Sequence, residues 1–546
     1  MYALVNGTIV TENESFVGTL LIEGSKIASI NPTSIPSSYT AIDCTDFIIF
    51  PGAIDPHVHL EYFQGPNKIR SADDFYTGSV AAALGGTTTL IDFVETSPQH
   101  NTFPSALSDR IHHASKSILP IGFHMAIAGW DIERLGRLNP NSNFEDEVVD
   151  VLNKGVCSFK LYTAYKGLCI DQKNLKNVFN SLLKLNKSCL VIVHAEDNKV
   201  FEEKVSQCRS DFNFDPAYVA MTRPDVGEAD ASRLVCEVYK EEVENFESRD
   251  HTTDGKILSK STSVGLHFVH VSAEKSAKIL LDFQNFNISG EACIQHLILT
   301  DDVYKDQDIC TRAAGVMAPV LRGESDNQYL WHQLIQEEII SMTATDHCPF
   351  QNIQRFGHSR LPTLIFENNQ LVSNPNIDPW SDERPTLKPG LGFKEALVDG
   401  VVDRFPPFFT MPGGGAGIQL RVPFIIGEGM RRGMSLSHIS RIIATNAAKR
   451  FGIKGKGSIK VGNDADLFIY DPNIETKVQL TGPLGAREAV AGNVVENVDV
   501  SLYEGKKIRG YPKTVFVEGK LVVENFKYTG EANTGKFLYR EIETFS

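Results

Sequence analysis

The sequence predicts an α/β fold: a (β/α)8 TIM-like barrel carrying a small β-sandwich domain built from both chain ends. Three observations predict it. Both ends of the chain read as short apolar strands around Gly turns. The middle alternates apolar runs with helical periodicity, the pattern of βα units and a parallel sheet. Polar residues recur where those apolar runs end, which is where barrels of this kind place their chemistry.

Taken in order, Ala3–Val5 and Thr8–Val10 flank Asn6-Gly7 as a hairpin, and Leu20–Glu23 and Lys26–Ile30 flank Gly24-Ser25 in the same manner. Near the other end, Gly457–Tyr470 and Thr514–Glu524 have the same character, and Val517-Glu-Gly-Lys-Leu521 echoes Ile22-Glu-Gly-Ser-Lys26. Residues 1–52 and 451–546 are therefore expected to share one domain, split by a barrel over 53–450 with a long insertion at 351–410. The expected barrel strands are Ile48–His59, Thr87–Val94, Gly122–Ala128, Cys157–Tyr165, Cys189–Ala195, Leu266–Val271, Ala292–Leu299 and Ile339–Asp346. Expected helices between them include Ala72–Leu84, Glu145–Lys154, Gln172–Leu185, Gly227–Phe246 and Ala273–Gln284.

Composition narrows the function. A formal net charge of −15 argues against a nucleic-acid or anionic-membrane surface, where a basic patch is expected. No apolar stretch approaches the ~20 residues that span a bilayer. Nine cysteines, odd in number and without CxxC pairs, suit free thiols in a reducing compartment, so a cytoplasmic protein is expected.

The candidate site begins at Asp55-Pro-His-Val-His59. In extended backbone, residues i and i+2 share a face, so His57 and His59 aim two imidazoles at one point. Further polar residues end other apolar runs: Lys160 in Ser158-Phe-Lys-Leu-Tyr162, His194 in Val191-Ile-Val-His194, His270 in His267-Phe-Val-His270, and Asp346 in Thr343-Ala-Thr-Asp346. A barrel interior is filled by branched apolar side chains, and each such polar group costs several kcal/mol there unless paired or metal-bound. Any one of them alone is as well explained by a structural role. Convergence from several strands points to a metal site. A lysine ammonium has no lone pair for a metal, but a neutral amine that captures carbon dioxide becomes a carbamate whose two oxygens bridge two cations. Two divalent ions are expected, with zinc fitting the histidine-rich donor set.

The set Asp55-Pro-His-Val-His59, Lys160, His194, His270 and Asp346-His-Cys-Pro349 resembles the amidohydrolase superfamily, and most nearly its dihydropyrimidinase and D-hydantoinase branch. The resemblance extends through Ser71-Ala-Asp-Asp-Phe-Tyr76, Gly85-Gly-Thr-Thr-Thr89, Lys160-Leu-Tyr-Thr-Ala-Tyr165, Arg223-Pro-Asp-Val-Gly-Glu228 and the tail from Tyr503-Glu-Gly505 to Gly535-Lys-Phe537. It implies that His57 and His59 bind one metal and His194 and His270 the other. It implies that carboxylated Lys160 and a hydroxide bridge both, that Asp346 binds the first metal and shuttles the proton, and that Tyr165 stabilises the oxyanion. The activity implied is hydrolytic opening of a cyclic ureide, a 5,6-dihydropyrimidine of pyrimidine catabolism or a hydantoin, to an N-carbamoyl amino acid. A homotetramer with the C-terminal tail reaching a neighbour is implied as well.

Three departures bear on the substrate. The family's Ser-Pro-Pro-Leu-Arg reads Ala318-Pro-Val-Leu-Arg322, its Pro-Asn-Gly reads Pro412-Gly-Gly414, and Gln351–Thr410 is long, with Trp380 and a Phe405–Phe409 cluster. The loop after Gly413 looks more like that of an allantoinase, which stands as the alternative. A non-catalytic scaffold relative would lack the metal ligands, and all are present here. Dihydroorotase-type chains carry arginine two residues after the second histidine; Glu61 stands there and would repel an acid. Apolar cover from the long segment leads us to expect a preference for larger or aryl-substituted rings.

Overall fold

Tyr2–Val10 (β1), Ser15–Glu23 (β2), Lys26–Ile30 (β3), Thr40–Asp43 (β4) and Ile48–Pro51 (β5) open the chain. In the computed structural model, which describes residues 1–64, 68–97, 100–132, 144–249, 263–357, 359–367, 369–374 and 406–543, the turn at Gly24 joins β2 to β3 as expected. The hairpin expected at Asn6-Gly7 is instead a bulge inside one continuous strand, with the register of β1 on β2 shifting between Leu4 and Gly7. Two neighbours explain this: β1 pairs antiparallel with β2 on one edge and parallel with β4 and β5 on the other, which holds it extended. Asn6 takes the left-handed conformation at φ 63°, which asparagine tolerates. Gly7 is needed for close approach, since a Cβ there would stand 2.7 Å from the Ile49 side chain.

The strand expected over Ile48–His59 is two strands in two sheets. β5 ends at Pro51, and Ala53–Val58 (β6) begins the barrel. Gly52 is the joint, its N–H donating to the Asp466 carbonyl at 2.8 Å. Phe63–Gln64 (β7) and Ile69–Arg70 (β8) form a small ribbon. The barrel continues through Thr87–Val94 (β9), Ile121–Ala126 (β10), Ser158–Tyr162 (β11), Cys189–His194 (β12), Val264–Phe268 (β13), Ile288–Cys293 (β14) and Ile340–Ala344 (β15). All pairings are parallel, in the order β6-β9-β10-β11-β12-β13-β14-β15. The outer strands meet beyond their ends, where the His59 N–H donates to the His347 carbonyl at 2.9 Å. The seventh strand was expected at Ala292–Leu299, but Ile294–Ile298 is a short helix. A fully buried apolar run has no periodicity to separate strand from helix.

Leu364–Glu367 (β16) and Gln370–Ser373 (β17) form a ribbon within the 351–410 segment. Leu467–Lys477 (β18), Gln479–Leu480 (β19), Asn493–Val494 (β20), Lys507–Val517 (β21), Lys520–Glu524 (β22) and Lys527–Tyr528 (β23) complete the chain's strands. The expected pairing of the two chain ends takes the form of one mixed nine-stranded sheet, ordered β23-β22-β21-β18-β5-β1-β2-β3 with β4 on β1. Leu4, Ile9, Leu20, Ile49, Leu467 and Phe516 form one of its cores.

Helices lie where expected, at Phe75–Leu84, Phe144–Asn153, Gln172–Lys184, Asp225–Arg249 and Glu274–Asp282. The first starts at Asp74, whose carboxylate takes the Tyr76 and Thr77 N–H groups in a capping box. Inside the barrel, Ile54, Ile91, Phe93, Leu190, Ile192, Met342 and Phe451 share one cluster, the branched and aromatic filling of such an interior. Trp380 and Phe405 lie outside the described residues. Residues 534–543 run along the chain's own barrel: the Leu538 N–H donates to Ile121 and the buried Arg540 to Ser158 Oγ.

Candidate active site

Every residue expected in the site stands at a C-terminal strand end or within three residues of one, Lys160 excepted, which is buried in the middle of β11. His57 is on β6 and His194 ends β12; His59, Tyr165, His270 and Asp346 follow β6, β11, β13 and β15. Three of these, Tyr165, His270 and Asp346, have φ of 73°, 40° and 50°. Left-handed backbone at non-glycine residues costs about 1–3 kcal/mol and persists where the surroundings over-determine it. Here the turn points each side chain back over the barrel mouth.

The donor atoms converge. Asp346 Oδ1 lies 3.0 Å from His57 Nε2 and 3.2 Å from His59 Nε2, and those nitrogens are 3.3 Å apart. His194 Nδ1 faces His270 Nε2 at 2.9 Å. Donor atoms of His57, His270 and Asp346 all lie within 4.8 Å of one another. Lys160 Nζ stands 5.2 Å from the Phe93 ring centroid and 5.3 Å from that of Tyr162.

Two carboxylates behind the histidines set their tautomers. Glu291 Oε1, on β14, is 2.6 Å from His57 Nδ1, and Glu196 Oε2 is 2.7 Å from His194 Nε2. Each takes one ring N–H, so the other nitrogen turns toward the shared space, the arrangement that outer carboxylates impose on metal-binding histidines. Glu196 is itself held by Arg223. Sequence reasoning missed Glu291 and gave Glu196 no role. A carboxylate inside the apolar run Gly290-Glu291-Ala292 is the same kind of anomaly that exposed Lys160.

The electrostatics ask for positive charge. Burial lowers the His57 imidazole, but Asp346 and Glu291 outweigh it and raise the group to about 9. Burial likewise opposes ionisation of Asp346, yet His57 and His59 hold its carboxyl well below the ordinary range. Burial brings the Lys160 ammonium down to about 8, so a neutral amine is within reach near physiological pH. Among the described residues, His59 Nδ1 is buried without a hydrogen-bond partner. Facing ring nitrogens, clustered acids and a depressed lysine fit divalent cations. Cys293 also neighbours His57 and Glu291, but burial pushes its thiol well above the usual value and leaves it a poor ligand.

Residues 325–522 match the amidohydrolase family. The chain is 29% identical over 545 residues to a D-hydantoinase of Geobacillus stearothermophilus, covering 98% of this chain and 95% of the relative. It is 26% identical to a dihydropyrimidinase of Arabidopsis thaliana, covering 99% and 85%. The crystal structure of a dihydropyrimidinase from Brevibacillus agri NCHU1002 superposes with a TM-score of 0.78 at 27% identity, covering 100% and 99%. Over nearly its whole length the chain is similar to hydantoinases and dihydropyrimidinases, and over residues 325–522 to the amidohydrolase family.

Two specificity expectations change on inspection. Glu61 does not face the site as a free charge: it is buried, pairs with His113 Nδ1 at 3.0 Å and lies 3.4 Å from Lys116 Nζ. Burial opposes its ionisation, but His113 and its other basic neighbours bring it to about 2. Gly413 meets the Gln64 carboxamide at two points, its N–H donating to Oε1 at 2.8 Å and its carbonyl accepting from Nε2 at 2.7 Å. Of the aromatic cluster, Phe409 packs on Phe214 and under Arg209.

Proposed function

We infer that this protein is a binuclear-metal cyclic amidohydrolase, opening a cyclic ureide such as a 5,6-dihydropyrimidine or a hydantoin to an N-carbamoyl amino acid. The observation that carries the reading is the convergence of four histidines and Asp346 on one barrel mouth beside a buried lysine of depressed basicity. His57, His59 and Asp346 would hold one ion, His194 and His270 the other, and carboxylated Lys160 both. When bound, the two ions, zinc on this donor set, supply hydroxide at neutral pH and polarise the scissile carbonyl.

The rest falls to the chain. Lys160 becomes an anion when its neutral amine bonds carbon dioxide and releases a proton. Asp346, an acceptor at neutral pH, takes the proton of the attacking water and returns it to the leaving ring nitrogen. Burial raises the Tyr165 phenol, so it stays protonated and donates to the carbonyl oxygen as charge develops there. The Tyr165 N–H donates to Asn198 Oδ1 at 2.9 Å and Arg223 lies 5.2 Å from its ring centroid, which together orient it. Nine free cysteines support a reducing, cytoplasmic setting. We carry a homotetramer over from the family, and light scattering tests it.

The deciding experiment is turnover by the purified, metal-loaded enzyme on dihydrouracil, dihydrothymine, hydantoins, allantoin and dihydroorotate. Opening of dihydropyrimidine or hydantoin rings supports the assignment, and opening of allantoin alone would move it to allantoinase. No ring opening at all would overturn it.

A further inference from the structure

The reaction uses the histidines, Lys160, Asp346 and Tyr165, and leaves one acid at the barrel mouth without a role. Glu95 follows β9, at the C-terminal end of the second barrel strand. Its Oε1 accepts the Tyr62 hydroxyl at 2.9 Å and the Tyr162 hydroxyl at 3.3 Å. The two rings come from different flanks of the candidate ligand set. Tyr62 lies 5.0 Å from the His59 ring, and Tyr162 lies 6.3 Å from the His194 ring. Glu95 thus stands one tyrosine beyond the reacting centre, and its charge is felt at Lys160.

Among the described residues, no hydrogen bond falls on Glu95 Oε2 and no salt bridge neutralises the group. Phenols stabilise a carboxylate without cancelling its charge. Burial raises the Glu95 carboxyl above its ordinary value, and the cation that opposes this, Lys68, is exposed on the ribbon that follows Tyr62, so a buried cationic partner would restore the carboxylate. Beside it, Thr96 Oγ1 accepts the indole N–H of Trp130 at 3.0 Å, and that tryptophan is 39% exposed. A carboxylate with a spare oxygen between two phenol rings, those of Tyr62 and Tyr162, suits a cation. An alkyl or aryl substituent would strip water from Glu95 and return nothing. The aromatic cluster expected to cover such a substituent has Phe409 packed elsewhere.

We propose that Glu95 determines specificity by receiving a positively charged group, an ammonium or guanidinium, carried on the ring substituent of the cyclic ureide. The inference rests on the ring-opening reading above, and its test separates the two. Wild type and Glu95→Gln are compared on 5-(4-aminobutyl)hydantoin and its neutral isostere 5-pentylhydantoin. The ratio of kcat/KM for the two is the readout, because a substitution that merely loosens Tyr62 and Tyr162 lowers both and leaves the ratio in place. The expected ratio favours the amine by about tenfold or more in wild type and falls by about tenfold or more in Glu95→Gln. An unchanged ratio, or a wild-type preference for the pentyl compound, overturns the proposal. Calorimetric binding of the same pair to both proteins reads the charge preference without turnover. Glu95-dependent preference without ring opening would overturn the reaction and sustain the role of Glu95; binding without that preference would overturn the role.

Discussion

Replacing Glu291 by glutamine removes one negative charge and almost no volume. Glu291 Oε1 stands 2.6 Å from His57 Nδ1, and Oε2 stands 3.3 Å from His267 Nε2. Glutamine Oε1 can still accept the His57 N–H, so the change is from a charge-assisted to a neutral hydrogen bond. Bonds to charged groups contribute about 1.5–3 kcal/mol and neutral ones about 0.5–1.5, so ~1–1.5 kcal/mol is lost. That corresponds to about tenfold, the lower end of the 10–100-fold usual for carboxylates behind metal-bound histidines. Glu291→Ala, which leaves Nδ1 without an acceptor, should lose more. Competition for zinc between a chelator and metal-stripped enzyme measures both. Affinities within twofold of wild type, in the order alanine above glutamine, would show that Glu291 does not set the His57 ring.

The same pair carries a pH signature in metal-free enzyme. The folded value of His57, about 9, lies above the ordinary 6.5, so its contribution to stability is complete below about pH 6.5 and is lost as pH rises toward 9. Glu291→Gln should flatten that fall in Tm against pH. Lys160, lowered by burial from 10.5 to about 8, has the opposite slope above pH 8 and is common to both proteins. Lys160→Ala should lose activity and regain part of it with added short carboxylic acids, and metal analysis of active wild type should give two ions per chain. One ion or fewer in fully active protein would sink the binuclear reading. Asp346→Asn should lower kcat by about 10²–10⁴-fold, the usual range for general acid–base catalysis, and a near-normal rate would hand the proton to another group.

The barrel and its candidate ligands were legible because they violate a local rule in a recoverable way. A lysine between Phe159 and Leu161 and a histidine closing Val191-Ile-Val are anomalies that point to a site once several strands supply them together. Glu291 breaks the same rule, but its residue type marks a support behind a histidine and not a ligand, so the pattern of ligand types does not reveal it. The misreadings have a different origin. Asn6-Gly7 has the residues of a turn, but β4 and β5, which keep β1 extended, come some thirty to forty residues later. The Ile294–Ile298 run is helical because of what packs around it: the buried Trp331 donates to the Leu297 carbonyl at 3.0 Å. Glu95 escaped because its partners, Tyr62 and Tyr162, are joined to it only by the fold.

The shared sheet also has a consequence in time. β5 lies between β1 and β18, so the strand that leads into β6 and His57 lacks one neighbour until residues near 467 have been made. At about 5–20 residues per second, that wait is about 20–80 s on the ribosome. During it the first fifty residues expose an unpaired edge of Ile48, Ile49 and Phe50. The arrangement makes the nascent N-terminal strands a substrate for holding chaperones, and a ribosome stalled midway should yield a chain whose first histidines are made but whose β5 edge is still open.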